Sequence, residues 1–136
     1  MASILRVDTL TDASSNNSIA TSVLFNGSNK AWINLNGTST IANRDSYNIS
    51  GITDNGSCSY SPAFTNNMCN ANWSGQISAN NGTTDVSGAH DYGFAIVDRA
   101  TGTYRIDIEN ASNTQTDLSL TDTIIHGDLA WVDQQI

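Results

Sequence analysis

Basic side chains are scarce in this sequence. Arg6, Lys30, Arg44, Arg99 and Arg105 face thirteen carboxylates over 136 residues, and the formal net charge is −8. A surface so poor in cations cannot neutralise a run of phosphates, which argues against nucleic acid as a partner. The same deficit argues against docking on anionic lipid. Long apolar runs are missing too. None approaches the roughly 20 residues of a membrane-spanning helix, and no basic-then-apolar leader opens the chain, so no membrane association is expected. Proline occurs once, as Pro62, inside a strand-like run, where it signals an edge or a bulge.

Reactive chemistry is equally thin. Cys58 and Cys69 are the only cysteines. If the intervening residues are extended, their Cα atoms lie too far apart to bridge. Two thiols, free or paired between subunits, are expected, with a short-loop disulfide as the lesser alternative. A structural zinc site wants four ligands, and neither histidine lies close to the cysteines, so no metal or other cofactor is expected. His90 precedes Asp91, and adjacent residues on a strand point to opposite faces and make no catalytic pair; His126, beside Gly127-Asp128, reads as a solvated or locally hydrogen-bonded histidine. No serine sits in a nucleophile elbow and no glycine loop suits phosphate. Asp54-Asn55-Gly56 lacks the oxygen spacing of a calcium loop and reads as a turn. No catalytic residue is assigned.

What the chain has is strand. Asn, Ser and Thr supply roughly a third of it, well above ordinary usage, interleaved with β-branched and aromatic residues. The organising stretch is 30–57, KAWINLNGTSTIANRDSYNISGITDNGS. Ala31, Ile33 and Leu35 alternate on one side of a first strand, and Asn36-Gly37 ends it. Tyr47 and Ile49 are expected to face inward along a second strand, and Asp54-Asn55-Gly56 turns into a third at 59–64. Residues 92–99 and 103–110 alternate clearly about Ala100-Thr101-Gly102, the best hairpin in the sequence. No helical periodicity, heptad or collagen-like repeat appears. Eight to ten short strands in one domain of this size predict an all-β fold, an antiparallel β-sandwich or jelly-roll-like domain over residues 18–136. Residues 1–17 form a separate N-terminal arm.

The same stretch resembles a module of tailed-phage virion proteins, as found in tail-fibre and fibre-like proteins of cyanophages and other marine phages. The likeness runs through 30–57, then Tyr60, Phe64, Met68 and Asn70-Ala71-Asn72-Trp73, and returns at Ile124-Ile125-His126-Gly127-Asp128. Ala2 to Asp12 is similar to the opening of such proteins. Cys58 and Cys69 depart from the pattern, and neither 80–91 nor 129–136 matches it. The resemblance covers most of the chain. It implies a non-enzymatic, homotrimeric β protein on the virion surface, assembled in the cytoplasm of the bacterial host, with the major capsid protein or tail proteins as partners. A capsid-decorating (cement) role and a short tail fibre or spike both fit, and the missing shaft favours decoration.

Three groups of residues are candidates for contact. Ile4, Leu5, Val7 and Leu10 make an apolar segment that either pairs with the domain sheet or packs on neighbouring subunits; the resemblance favours an attachment or intertwining arm. The run 79–88 is the longest without strand pattern, and the loop 79–91 that contains it is a candidate for binding, as surface loops often are. Asn80, Asn81, Thr83, Asp85, His90 and Asp91 are its candidate contacts with a partner or a receptor. Trp32, Trp73 and Trp131 could stack on a sugar, although tryptophan in a small β protein is more often core or interface. The alternative function is therefore a receptor-binding knob that recognises host-surface glycan.

Overall fold

A computed structural model describes residues 7–15, 17–80, 92–110 and 117–130. Within them the chain is built from antiparallel strands and one short helix. β1 (Thr9–Thr11) and β2 (Ser18–Ala20) form a small hairpin that spans position 17, followed by α1 (Thr21–Gly27). The remaining strands are β3 (Ala31–Asn36), β4 (Ala42–Tyr47), β5 (Ile49–Asp54), β6 (Ser59–Phe64), β7 (Ser74–Asn80), β8 (Tyr92–Val97), β9 (Arg105–Asn110) and β10 (Leu120–His126). They make two four-stranded sheets, in the orders β4-β3-β10-β7 and β5-β6-β9-β8.

Both sheets contribute inward side chains to one core. Ala31, Ile33 and Leu35 of β3 and Ile125 of β10 come from the first sheet; Tyr60 and Phe64 of β6 with Ile106 and Ile108 of β9 come from the second. The strict alternation of β3, buried on every second residue, is the pleat expected of a strand with one face in the core. Phe64, Trp73 and Tyr104 form an aromatic cluster, with ring centroids 5.4 to 5.9 Å apart. Tyr104 also spans the two sheets, its Oη 2.6 Å from Oγ1 of Thr123.

The structure corrects three expectations, two of them before β5 and the third at Pro62. Tyr47 and Ile49 do not share an inward face. Asn48 between them has φ of +58°, and the chain passes there from the first sheet to the second. Tyr47 consequently points outward and is 54% exposed. Asn48 fixes this crossing with its side chain, donating to the carbonyls of Lys30 and Asn66 and accepting from the Asn66 amide. The second correction is α1, which lies in a stretch that showed no helical pattern. Its N-cap, Ala20, makes no side-chain cap, and its first turn holds no acid. Its C-terminal end is held by Lys30, whose buried ammonium donates to the carbonyls of Phe25 and Ser28 and lies over the Phe25 ring. A cation at that end of a helix meets unsatisfied carbonyls and the negative pole of the backbone.

The third correction is Pro62, which marks neither an edge nor a bulge but lies in β6, an interior strand. The ladder between β6 and β9 runs only through Ser59 and Tyr60, so no β9 acceptor is lost where the proline lacks its N–H. The Pro62 carbonyl instead accepts from Thr103 Oγ1 and the Tyr104 amide. Cys58 and Cys69 are not bridged: the first is fully buried and the second exposed.

Candidate interaction surface

The described part of the N-terminal segment is apolar and uncovered. Val7 and Leu10 lie on or beside β1, Ile19 on β2, and Val23, Leu24 and Phe25 on α1; all six are exposed, Val23 to 56% and Leu24 and Phe25 to 42% each. No residue of α1 is buried. The hairpin is closed locally, by the Thr11 hydroxyl to the Asn17 carbonyl and the Thr21 amide to the Asp8 carbonyl. It therefore holds its shape while presenting side chains that water solvates poorly.

A second apolar feature crosses the outer face of the first sheet. The registers place Tyr47, Trp32, Ile124 and Gln76 side by side on β4, β3, β10 and β7. Trp32 is half-buried, while Ile124 and Tyr47 are exposed. The adjoining row is polar: Asp45, Asn34, Asp122 and Ser78. A groove of about 530 Å³ runs between the rows, lined by Asn29, Trp32, Asn34, Ser78, Asp122 and Ile124 among others. Arg44 lies at the β4 margin, its guanidinium donating to the side-chain oxygens of Asn34 and Asn36. The opposite outer face is polar and ionic. There Arg105 bridges Asp98 at 3.1 Å and Asp107 at 3.0 Å.

The residues singled out from the sequence separate accordingly. Val7 and Leu10 lie in the exposed hairpin region, and Trp32 on the outer face. Trp73 lies in the core, 2% exposed, with its indole N–H donated to the Ala100 carbonyl and the Arg99 guanidinium near its ring. It offers no face to a ligand. Asn80 is the exposed last residue of β7. Ile4, Leu5, Asn81, Thr83, Asp85, His90, Asp91 and Trp131 lie outside the described residues. Among the described residues, no three of His, Cys, Asp and Glu are gathered as a metal would need. Sequence reasoning missed Val23, Leu24, Phe25, Tyr47 and Ile124 as surface residues, because apolar positions are ordinarily assigned to the core.

One buried polar cluster supports the fold beside the β3–β4 turn. Oδ1 of Asp117 accepts the Cys58 amide at 2.7 Å and the Tyr60 hydroxyl at 2.8 Å. The Tyr60 hydroxyl is also 3.2 Å from the Gly37 carbonyl. Burial first, and then the hydrogen bond and charge of Asp117, push the Tyr60 phenol above its ordinary range. Burial likewise pushes Tyr104 up to about 12, opposed by its bond to Thr123. Both phenols are structural, because each is engaged within the chain. Comparison with protein-family models, with curated proteins and with solved structures finds no match to this chain.

Proposed function

We propose that this chain is a non-enzymatic structural protein of a tailed-phage particle, acting as a homotrimer on the virion surface. Its partners would be other copies of itself and the major capsid protein or tail proteins. The observation that carries this reading is the exposed hairpin and helix. Six large apolar side chains stand outside the core on a segment with its own hydrogen-bonded shape, which suits a surface built to be covered by assembly. The resemblance of residues 30–57 to tail-fibre-like proteins supports the placement on a phage. Decoration of the capsid and a short tail fibre or spike are the two placements this reading admits.

Light scattering on the full chain tests the assembly, with a mass three times that of the chain expected at micromolar concentration. Replacing Leu24 and Phe25 together by Asp should shift that mass to one chain without unfolding the domain, since neither side chain is in the core. A wild-type monomer that also fails to bind purified phage heads or tails would overturn the proposal.

A second reading is favoured by one observation. Trp32 lies beside Asn34, Asp122 and Ser78, an aromatic ring with hydrogen-bonding groups along one edge, as a saccharide would require. A glycan array probed with the full chain, and repeated with Trp32→Ala, tests it.

A further inference from the structure

We infer that the outer face of the first sheet binds a neutral oligosaccharide of two or more pyranose units, seated on Trp32 and hydrogen-bonded by Asn34, Asp122, Ser78 and Gln76. This rests on the saccharide reading above and names the class of ligand that the groove accepts.

The groove at Trp32 does not end at β10. Beside its volume of about 530 Å³ lies a second of about 420 Å³, which reaches Gln76 on β7. The two share Ser78, Asp122 and Ile124, so they form one trough crossing from β3 over β10 to β7. Two steps between neighbouring strands carry it roughly 10 Å across the sheet, further than a single pyranose ring extends.

The polar groups along this trough are unsatisfied. The Trp32 indole N–H, the Asp122 carboxylate, the Ser78 hydroxyl and the Gln76 amide have no hydrogen-bond partner among the described residues. Asn34 accepts from Arg44 at 3.5 Å and keeps its own amide N–H groups free. Ile124, exposed beside Trp32, extends the apolar floor. A pyranose with equatorial hydroxyls has the matching build. Its C–H face suits an aromatic ring, and its rim of hydroxyls both donates and accepts, so neighbouring hydroxyls can share the two oxygens of Asp122. A protein partner fits poorly, because a few part-exposed side chains fall well short of the roughly 800 Å² per partner of a stable contact.

Charge selects among saccharides. No basic residue lines the trough, Asp122 lies within it, Asp45 stands beside it, and the whole chain carries −8. The nearby guanidinium of Arg44 is occupied at the β4 margin by Asn34 and Asn36. A uronate, sialate or phosphate group arriving beside Asp122 meets like charge with no cation in the trough to offset it. Acidic glycans are therefore refused.

A glycan array carrying neutral, sialylated and uronate-bearing oligosaccharides, probed with the full chain, tests this. The strongest responder is then titrated by calorimetry. Neutral di- and trisaccharides should respond and acidic ones should not. Trp32→Ala should weaken the titrated binding by about tenfold or more. The fold should persist, as circular dichroism would show, since neither Trp32 nor Asp122 belongs to the core. Asp122→Asn removes the charge and keeps the shape, so it should admit uronate-bearing glycans that the wild type refuses. Acidic glycans as the strongest responders, lost on Trp32→Ala, would overturn the inference and leave the saccharide reading standing. A monosaccharide bound as tightly as its trimer would overturn it likewise. An array without response, or responders held equally by Trp32→Ala, would remove the saccharide reading and the inference together.

Discussion

Asp117 allows the energetics of the fold to be tested at one atom. Its Oδ1 holds the Cys58 amide at 2.7 Å and the Tyr60 hydroxyl at 2.8 Å, so Asp117→Ala removes two hydrogen bonds to a charged acceptor. Such bonds contribute about 1.5–3 kcal/mol each, and a buried donor left without an acceptor costs a similar amount. Part of the loss is recovered, because the Tyr60 hydroxyl still has the Gly37 carbonyl 3.2 Å away. The net destabilisation should be about 3 kcal/mol, which in a domain of this size lowers the melting midpoint by roughly 10 °C. Asp117→Asn keeps an acceptor oxygen and loses only the charge, so it should cost about half as much. Urea unfolding followed by tryptophan fluorescence would measure both variants, with an unchanged dependence on denaturant showing that the folded and unfolded ensembles are otherwise alike. The Tyr60 phenol should also ionise at lower pH in Asp117→Ala, since two of the influences that raise it are gone. An Asp117→Ala midpoint equal to that of the wild type would refute the reasoning, by showing that these bonds only replace bonds to water.

Three further outcomes follow from other parts of the structure. Tyr104 keeps its proton more tightly folded than unfolded, so the stability it contributes is complete below about pH 10 and falls as pH rises toward about 12, by roughly 3 kcal/mol in all; alkaline unfolding of Tyr104→Phe should lack that part of the fall. Gly127→Ala would put a Cβ 2.6 Å from the Trp73 Cβ and 2.8 Å from the Met68 Cε, so calorimetry should show a loss of about 2 kcal/mol or more. Arg105→Ala removes two ion pairs from a part-exposed face and should change stability by less than about 1 kcal/mol, and that small loss should shrink further in high salt.

Much of the strand pattern was legible because each strand buries one face. Ala31, Ile33 and Leu35 announce β3, and Tyr104, Ile106 and Ile108 announce the buried side of the β8–β9 hairpin; all six are essentially inaccessible. The reading failed where one residue changes the rule. Asn48 adopts a left-handed backbone conformation, which puts Tyr47 and Ile49 on different sheets, and alternation cannot foresee that break. The helix α1 was illegible for a different reason. It has neither a capping side chain nor a buried stripe, and its stabilising cation, Lys30, follows it in sequence. The outer stripe of Trp32, Tyr47 and Ile124 depends on which strands become neighbours. That pairing is long-range, and no local pattern records it.

The place of β10 carries a consequence for how the molecule comes into being. The final described strand is interior, flanked by β3 and β7, so the first sheet stays split into two halves until residues 120–126 arrive. During synthesis the β3–β4 ribbon and β7 wait with open margins beside an incomplete core, a state that favours slow closure and sticking to other chains. Loss of those few residues would remove the keystone of the sheet rather than trim its rim.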